Sequence, residues 1–297
     1  MISWSDCPAR IEENRSLREL TTWHIGGTAR FYAEIDSREE LTAVLAAAER
    51  RGVRTYIMGG GSNLLITDGL LDGLVIRLNP GGRLASLQIL AVEEGLVRVG
   101  AAASLASLLH MASEQGLSGL EDLAGIPGTV GGAICMNAGN PARGIGAFVE
   151  EATAADSAGR IFTLRRDSIH FDYRWSNLED LVIIEALLRL RPATPEKVKN
   201  DMRSFLELKR RRQPLEERSA GCVFRNPHHA PAGLLIEQAG LKGYRIGDAM
   251  VSEAHANFII NVGAATCDDV RRIIDHVRSE VRCRHRIDLQ LEIRLWL

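Results

Sequence analysis

Fifteen residues, GIPGTVGGAICMNAG from Gly125 to Gly139, restrict the fold of this chain more than any other stretch. A run so rich in glycine, with a proline inside it, is a poor candidate for one continuous helix or strand. Glycine costs about 1 kcal/mol relative to alanine within a helix, and proline removes a backbone donor. The run is also too long for an ordinary turn, so it reads as a ligand clamp. A second cluster, GGGSN at Gly59–Asn63, follows the strand-like TYIM. Residues without side chains let a ligand approach the main chain closely, and consecutive backbone N–H groups form an anion-binding concavity without a lysine. The Gly-Lys-Ser/Thr ending of a P-loop is absent, and no Gly-x-Gly-x-x-Gly lies between a strand and a helix. GGGSN taken singly is equally compatible with a tight turn. Two such clusters in one domain favour diphosphate binding.

Around these clusters the chain reads as mixed strand and helix. Ser37 and Glu40 form a capping box for a helix with Leu41, Val44, Leu45 and Ala48 on one face and Gly52 as its stop. VRTYIM, GLVIRL, LQILAV and LVRVGAA read as strands, and SLASLLHMASEQG returns to helical spacing. A hairpin turning at Ser157–Arg160 follows, then a long strand, DLVIIEALLRLRP. Thr194 as cap and Pro195 in the first turn start a new helix, which puts a domain boundary near 193. Helices about Leu234–Ala239 and Asp268–Arg282 flank the strand ANFIINV, and IDLQLEIRLWL reads as a buried strand.

Bulk properties narrow the function. At 297 residues the chain is long enough for two domains, and a formal net charge of −2 gives no general reason to expect nucleic acid. No apolar run approaches the roughly 20 residues of a membrane span, and the N-terminus lacks the apolar core of a signal peptide. A cytoplasmic protein without membrane insertion is expected. Five scattered cysteines suggest reduced thiols, and neither the His228-His229 pair nor Cys283-Arg284-His285 has metal-ligand spacing. The basic run in LKRRRQP ends a predicted helix, where cations favour the dipole.

Six segments, TTWHIGGTA, GGGSNLL, AGIPGTVGGAICMNAG, FDYRWS, SAGCVFRNP and LIEQAGLKGYRIGDAMVSEAHANFIIN, stand in the order found in UDP-N-acetylenolpyruvoylglucosamine reductases, which this chain resembles from residue 21 to about 294. The resemblance implies an α+β flavoenzyme of peptidoglycan synthesis, with an FAD-binding fold of the vanillyl-alcohol oxidase type and a smaller α+β substrate domain. Residues 1–193 would form the FAD domain and 194–285 the substrate domain, with 286–297 returning to the first. NADPH would be co-substrate and UDP-N-acetylglucosamine-enolpyruvate the substrate. A sugar-lactone oxidase on the same fold would need no UDP site, and the second domain argues against it.

The resemblance also assigns residues. FAD would lie on Gly59, Gly60, Gly61, Ser62 and Asn63, on Ile126, Pro127, Gly128, Thr129, Gly132 and Asn137, and on Arg294. Arg174 would polarise the substrate carboxylate, with Glu292 assisting on the enolate. Tyr173, Asn226 and Lys242 would contact substrate. Cys222, read on its own, is a small packed residue. By resemblance it stands where the family usually has serine, the proton donor to the enolate, and a thiol can do the same work. Departures from the family pattern occur at His24, at NPARGIGAF after Asn140, and at LQLEIR, where LEPEVR is usual.

Overall fold

Ser37 opens the first helix, α1 (Arg38–Arg50), with its hydroxyl accepting from Glu40 N at 3.1 Å. The Glu40 carboxylate reaches back to Asp36 N at 2.8 Å, one residue beyond the amide that a capping box uses. Leu41, Val44, Leu45 and Ala48 are buried, as their spacing predicts. The structure, a computed structural model, describes residues 2, 4–5, 7–140 and 143–297. Pro141 and Ala142, part of the departure noted after Asn140, lie outside them.

The buried face of α1 shares a core with a four-stranded sheet, in the order Ile11–Ser16, Thr28–Ile35, Leu70–Leu78, Thr55–Met58. Its last pair is parallel. A five-stranded antiparallel sheet contributes to the same core, in the order Ile161–Arg165, Val149–Ala155, Val182–Arg189, Leu96–Gly100, Leu87–Ala91. With it pack α2 (Leu105–Glu114) and α3 (Val130–Cys135). The hairpin turns where the sequence predicts, with Asp156 N donating to Arg160 O. The long strand stops earlier than predicted. Leu190 gives its N–H to Gly95 O, and Arg191–Pro192 pair instead with Leu117–Ser118.

Helix α4 (Pro195–Arg212) is continuous, with Val198 buried. Beyond it, α5 (Ala232–Gln238) and α6 (Cys267–His285) share a second core with an antiparallel meander of Arg245–Ile246, Ala249–Val251 and Ile259–Asn261. Trp23 belongs to this core: its indole N–H donates to Ile259 O at 2.7 Å, and Asn261 Nδ2 donates to Trp23 O at 2.9 Å.

The two cores define two compact units. One holds the chain up to Glu13, Phe31–Gly60 and Asp72–Leu208; the other holds Asn14–Arg30, Gly61–Leu71 and Lys209–Leu297. The division therefore falls inside α4 rather than at 193. Arg294–Trp296 pair in parallel with Leu64–Ile66 and lie in the second unit, with residues 14–30 and 61–71. A linear reading misses this because segments some 200 residues apart complete one core. The terminal strand is also shorter than predicted: Leu289 and Ile293 are buried, but Leu295 and Leu297 are 36% and 57% exposed.

Candidate active site

In the first unit the two glycine clusters meet. A Cβ on Gly60 would lie 2.6 Å from Gly128 Cα, and one on Gly59 would lie 2.7 Å from Thr129 Oγ1. These glycines are needed for one loop to touch the other, quite apart from any ligand. The clamp is then fastened to the chain before α2, with Leu105 N donating to Gly128 O at 3.0 Å and Val130 N to Ala103 O at 2.9 Å. Thr129 caps α3 by accepting from Gly132 N at 3.3 Å. Pro127 and Gly132 are exposed, and Ile126 is half-buried against the core. The surface so formed is poor in side chains and rich in peptide groups and short polar donors, a donor set that suits a diphosphate.

The far end of the clamp carries Arg174. A two-stranded hairpin, Phe171–Asp172 with Trp175–Ser176, presents Tyr173 and Arg174 at its turn, and Arg174 adopts φ +55°. Such a backbone is unfavourable for a side-chain-bearing residue by about 1 kcal/mol or more, and it persists only where the surroundings enforce it. Three bonds do so. Arg174 Nη1 donates to Gly139 O at 2.7 Å, Ser176 Oγ to Cys135 O at 2.8 Å, and Asn137 Nδ2 to Asp172 O at 2.9 Å. The Asn137 Oδ1 accepts from Gly146 N at 3.0 Å. Both ends of this carboxamide are thus engaged within the protein, so Asn137 braces the hairpin that bears Arg174. The Arg174 guanidinium stands 5.2 Å from the Tyr173 ring centroid.

In the second unit a separate group assembles. Asn63 holds both sides of the segment carrying Glu292: its Nδ2 donates to Glu292 O at 3.2 Å, and its carbonyl accepts from Arg294 N at 2.9 Å. Glu292 N donates to Val223 O at 2.8 Å, which sets Glu292 beside the turn bearing Cys222. The regular strand starts only at Arg294, so Glu292 lies in the irregular segment before it. Gly221, with φ +75° and no atom within 4 Å of a Cβ, makes the turn before Cys222 by backbone conformation alone. Asn226 Oδ1 accepts from Ala232 N at 3.0 Å, and Lys242 Nζ pairs with Glu237 at 2.9 Å.

Two neighbouring groups have shifted acidities. Burial pushes the Cys267 thiol up to about 11, which makes it a packed, unreactive thiol; Cys222 is half-buried. Burial holds the His255 imidazole below its ordinary value, with Lys242 acting the same way and Glu237 opposing. Sequence reasoning singled out the loops, Asn137 and the charged candidates but missed the left-handed backbone of Arg174 and the carboxamide of Asn257. For Asn257 a signal was present, a polar residue at the head of the apolar run NFII.

Known proteins match this arrangement unit by unit. The model of an FAD binding domain matches residues 29–165, and that of the C-terminal domain of UDP-N-acetylenolpyruvoylglucosamine reductase matches 213–296. The reductase named "2" of Symbiobacterium thermophilum is 43% identical over 291 residues, 97% of this chain and 93% of its own. The Moorella thermoacetica reductase is 43% identical over 288 residues, again covering 97% and 93%. The solved UDP-N-acetylenolpyruvylglucosamine reductase of Thermus caldophilus is 33% identical with a TM-score of 0.84, covering 97% of this chain and all of that one. A solvent-stable cholesterol oxidase, 17% identical with a TM-score of 0.50, covers 63% of this chain and 39% of its own, and shares the fold. The chain belongs to the UDP-N-acetylenolpyruvoylglucosamine reductase family, FAD-dependent oxidoreductases of peptidoglycan precursor synthesis on a vanillyl-alcohol-oxidase-type α+β fold.

Proposed function

We propose that this protein is a cytoplasmic enzyme that uses NADPH to reduce the enolpyruvyl ether of UDP-N-acetylglucosamine-enolpyruvate, giving UDP-N-acetylmuramate, with Arg174, Cys222 and Glu292 as its catalytic residues. FAD, when bound, would supply hydride transfer between NADPH and the enolpyruvyl double bond. Gly59, Gly60, Gly128, Thr129 and Gly132 of the first unit would hold its diphosphate.

The substrate dictates what the side chains must do. Hydride adds to the terminal CH2 of an unsaturated carboxylate, because the electron pair then delocalises into the carboxylate as an enolate. Arg174 meets that charge with a planar fork suited to a carboxylate, and the bond from its Nη1 to Gly139 O tethers that fork to the clamp. Cys222 gives its thiol proton to the carbon bearing the ether oxygen, which quenches the enolate. Glu292 is assigned to assist on the enolate. Tyr173, Asn226 and Lys242 are proposed to contact the UDP-sugar.

The observation that supports this most directly is the 2.8 Å bond from Glu292 N to Val223 O, which puts the acid and the carboxylate on adjoining residues of one packed unit. The purified protein should be yellow and release FAD on heating. NADPH should bleach the bound flavin, and the enolpyruvyl UDP-sugar should restore its colour. A colourless protein that does not take up added FAD would overturn the reading.

A further inference from the structure

Cys222 lies between a turn and a clamp. On its N-terminal side Gly221 makes the turn. On its C-terminal side all four backbone hydrogen-bonding groups of Val223 and Phe224 are accounted for, and three of them end on Asn257. Val223 N donates to Asn257 O at 2.9 Å and Phe224 N to Asn257 Oδ1 at 2.9 Å, while Asn257 Nδ2 donates to Phe224 O at 2.8 Å. The fourth, Val223 O, takes Glu292 N at 2.8 Å. The Asn257 carboxamide thus pairs with both peptide groups of Phe224 as a neighbouring strand would, beside two isolated bridges, Cys222 with Phe258 and Phe224 with Leu291.

Asn257 is 2% exposed. A buried carboxamide is unfavourable unless both its donor and its acceptor are matched, and here both are matched on one residue. The apolar core around Phe224 would supply packing without it. What the carboxamide adds is a fixed main-chain position at Phe224, two residues from Cys222, and proton transfer depends steeply on where the donor stands. The clamp is anchored in turn by His255, whose Nδ1 accepts from Asn257 N at 3.2 Å.

We infer that Asn257 is a positioning residue for the proton-donating thiol of Cys222, holding the Cys222 turn and, through Val223, the Glu292 segment in mutual register. The inference rests on the role of Cys222 proposed above. Its test separates the two half-reactions by rapid mixing in Asn257→Ala, or in Asn257→Ser if the alanine variant does not fold. Flavin bleaching by NADPH stays within about twofold of the parent, while colour recovery with the enolpyruvyl UDP-sugar slows on the order of 10- to 100-fold. In a Cys222→Ala background the same substitution adds no further slowing, because both act on one proton transfer. In flavin-free protein, amide exchange at 223–224 quickens about tenfold or more, with 125–139 unchanged.

Other outcomes distinguish the failures. If the parent flavin never recovers with the enolpyruvyl sugar, the proposed reaction is wrong. If Cys222→Ala matches the parent, the role of Cys222 fails and this inference with it. If Cys222→Ala is slow but Asn257→Ala is not, the inference alone is overturned. Slowing of both half-reactions, full additivity with Cys222→Ala, or failure of both Asn257 variants to fold would make Asn257 a folding determinant and overturn it equally.

Discussion

At the scale of single residues, two substitutions separate chemistry from support. Cys222→Ala should leave bleaching of the flavin by NADPH intact and slow colour recovery by roughly 100- to 10,000-fold, the usual range for one proton-transfer group. Cys222→Ser should keep much of the activity, since a hydroxyl occupies nearly the same place. Stopped-flow measurement of each phase checks both, and recovery at the parental rate in the alanine variant would return Cys222 to the standing of Cys267, a packed thiol. Asn137→Ala should act differently. It removes bonds to Asp172 O and from Gly146 N and leaves alanine at φ +45°, which together should lower stability by about 2–3 kcal/mol. The hairpin bearing Arg174 then loosens, so KM for the UDP-sugar should rise while FAD stays bound. Asn137→Gly should recover part of the urea midpoint but not the KM, because it relieves the backbone without restoring the strut. Loss of FAD with unchanged KM would instead make Asn137 a cofactor contact.

Among the elements, α6 shows how distant sequence completes a local signal. It starts at Cys267, one residue before the expected Asp268, under a reciprocal capping box of Thr266 and Asp269. The next two amides, Cys267 N and Asp268 N, are taken by Asp68 at 2.8 and 3.2 Å, from a segment 199 residues away that no pattern search would pair with it. Asp68→Ala should cost about 1 kcal/mol through the lost cap and the lost charge at the positive end of the helix, read as a lower denaturant midpoint. Asp68→Asn should cost less, since it retains an acceptor. The meander beside α6 carries a pH dependence. Burial holds His255 below its unfolded value near 6.5, so around that pH the unfolded chain binds more protons than the folded one. Stability should therefore be full above about pH 7.5, fall as pH drops through 6.5, and level off below the folded value. The midpoint-against-pH curve of His255→Gln should be flatter over this window; an unchanged curve would assign the dependence elsewhere.

For the whole molecule, two cores and one cofactor predict how the protein melts. FAD binds the folded chain and not the unfolded one, so FAD at a hundred times its Kd should add about 2.7 kcal/mol, a rise in Tm on the order of 5 °C, read by calorimetry with and without added FAD. No shift would mean that the loops do not hold the flavin. Much of this molecule was legible in its sequence. Glycine spacing located the two loops that meet at Gly60 and Gly128, period-3.6 spacing located α1 and α2, and motif order identified the family, because each is a local property of backbone freedom or of one side of one element. The tertiary structure decided the rest. It assigned residues 14–30, 61–71 and 294–296 to the second unit, and it closed Gly60 onto Gly128. It tied Asn137 and Asn257 to backbone groups far along the chain, and it bent Arg174 into a left-handed turn. The physical reason is the same in each case: a buried polar group must find its partner, and the partner is chosen by packing between segments far apart along the chain, about which local pattern carries no information.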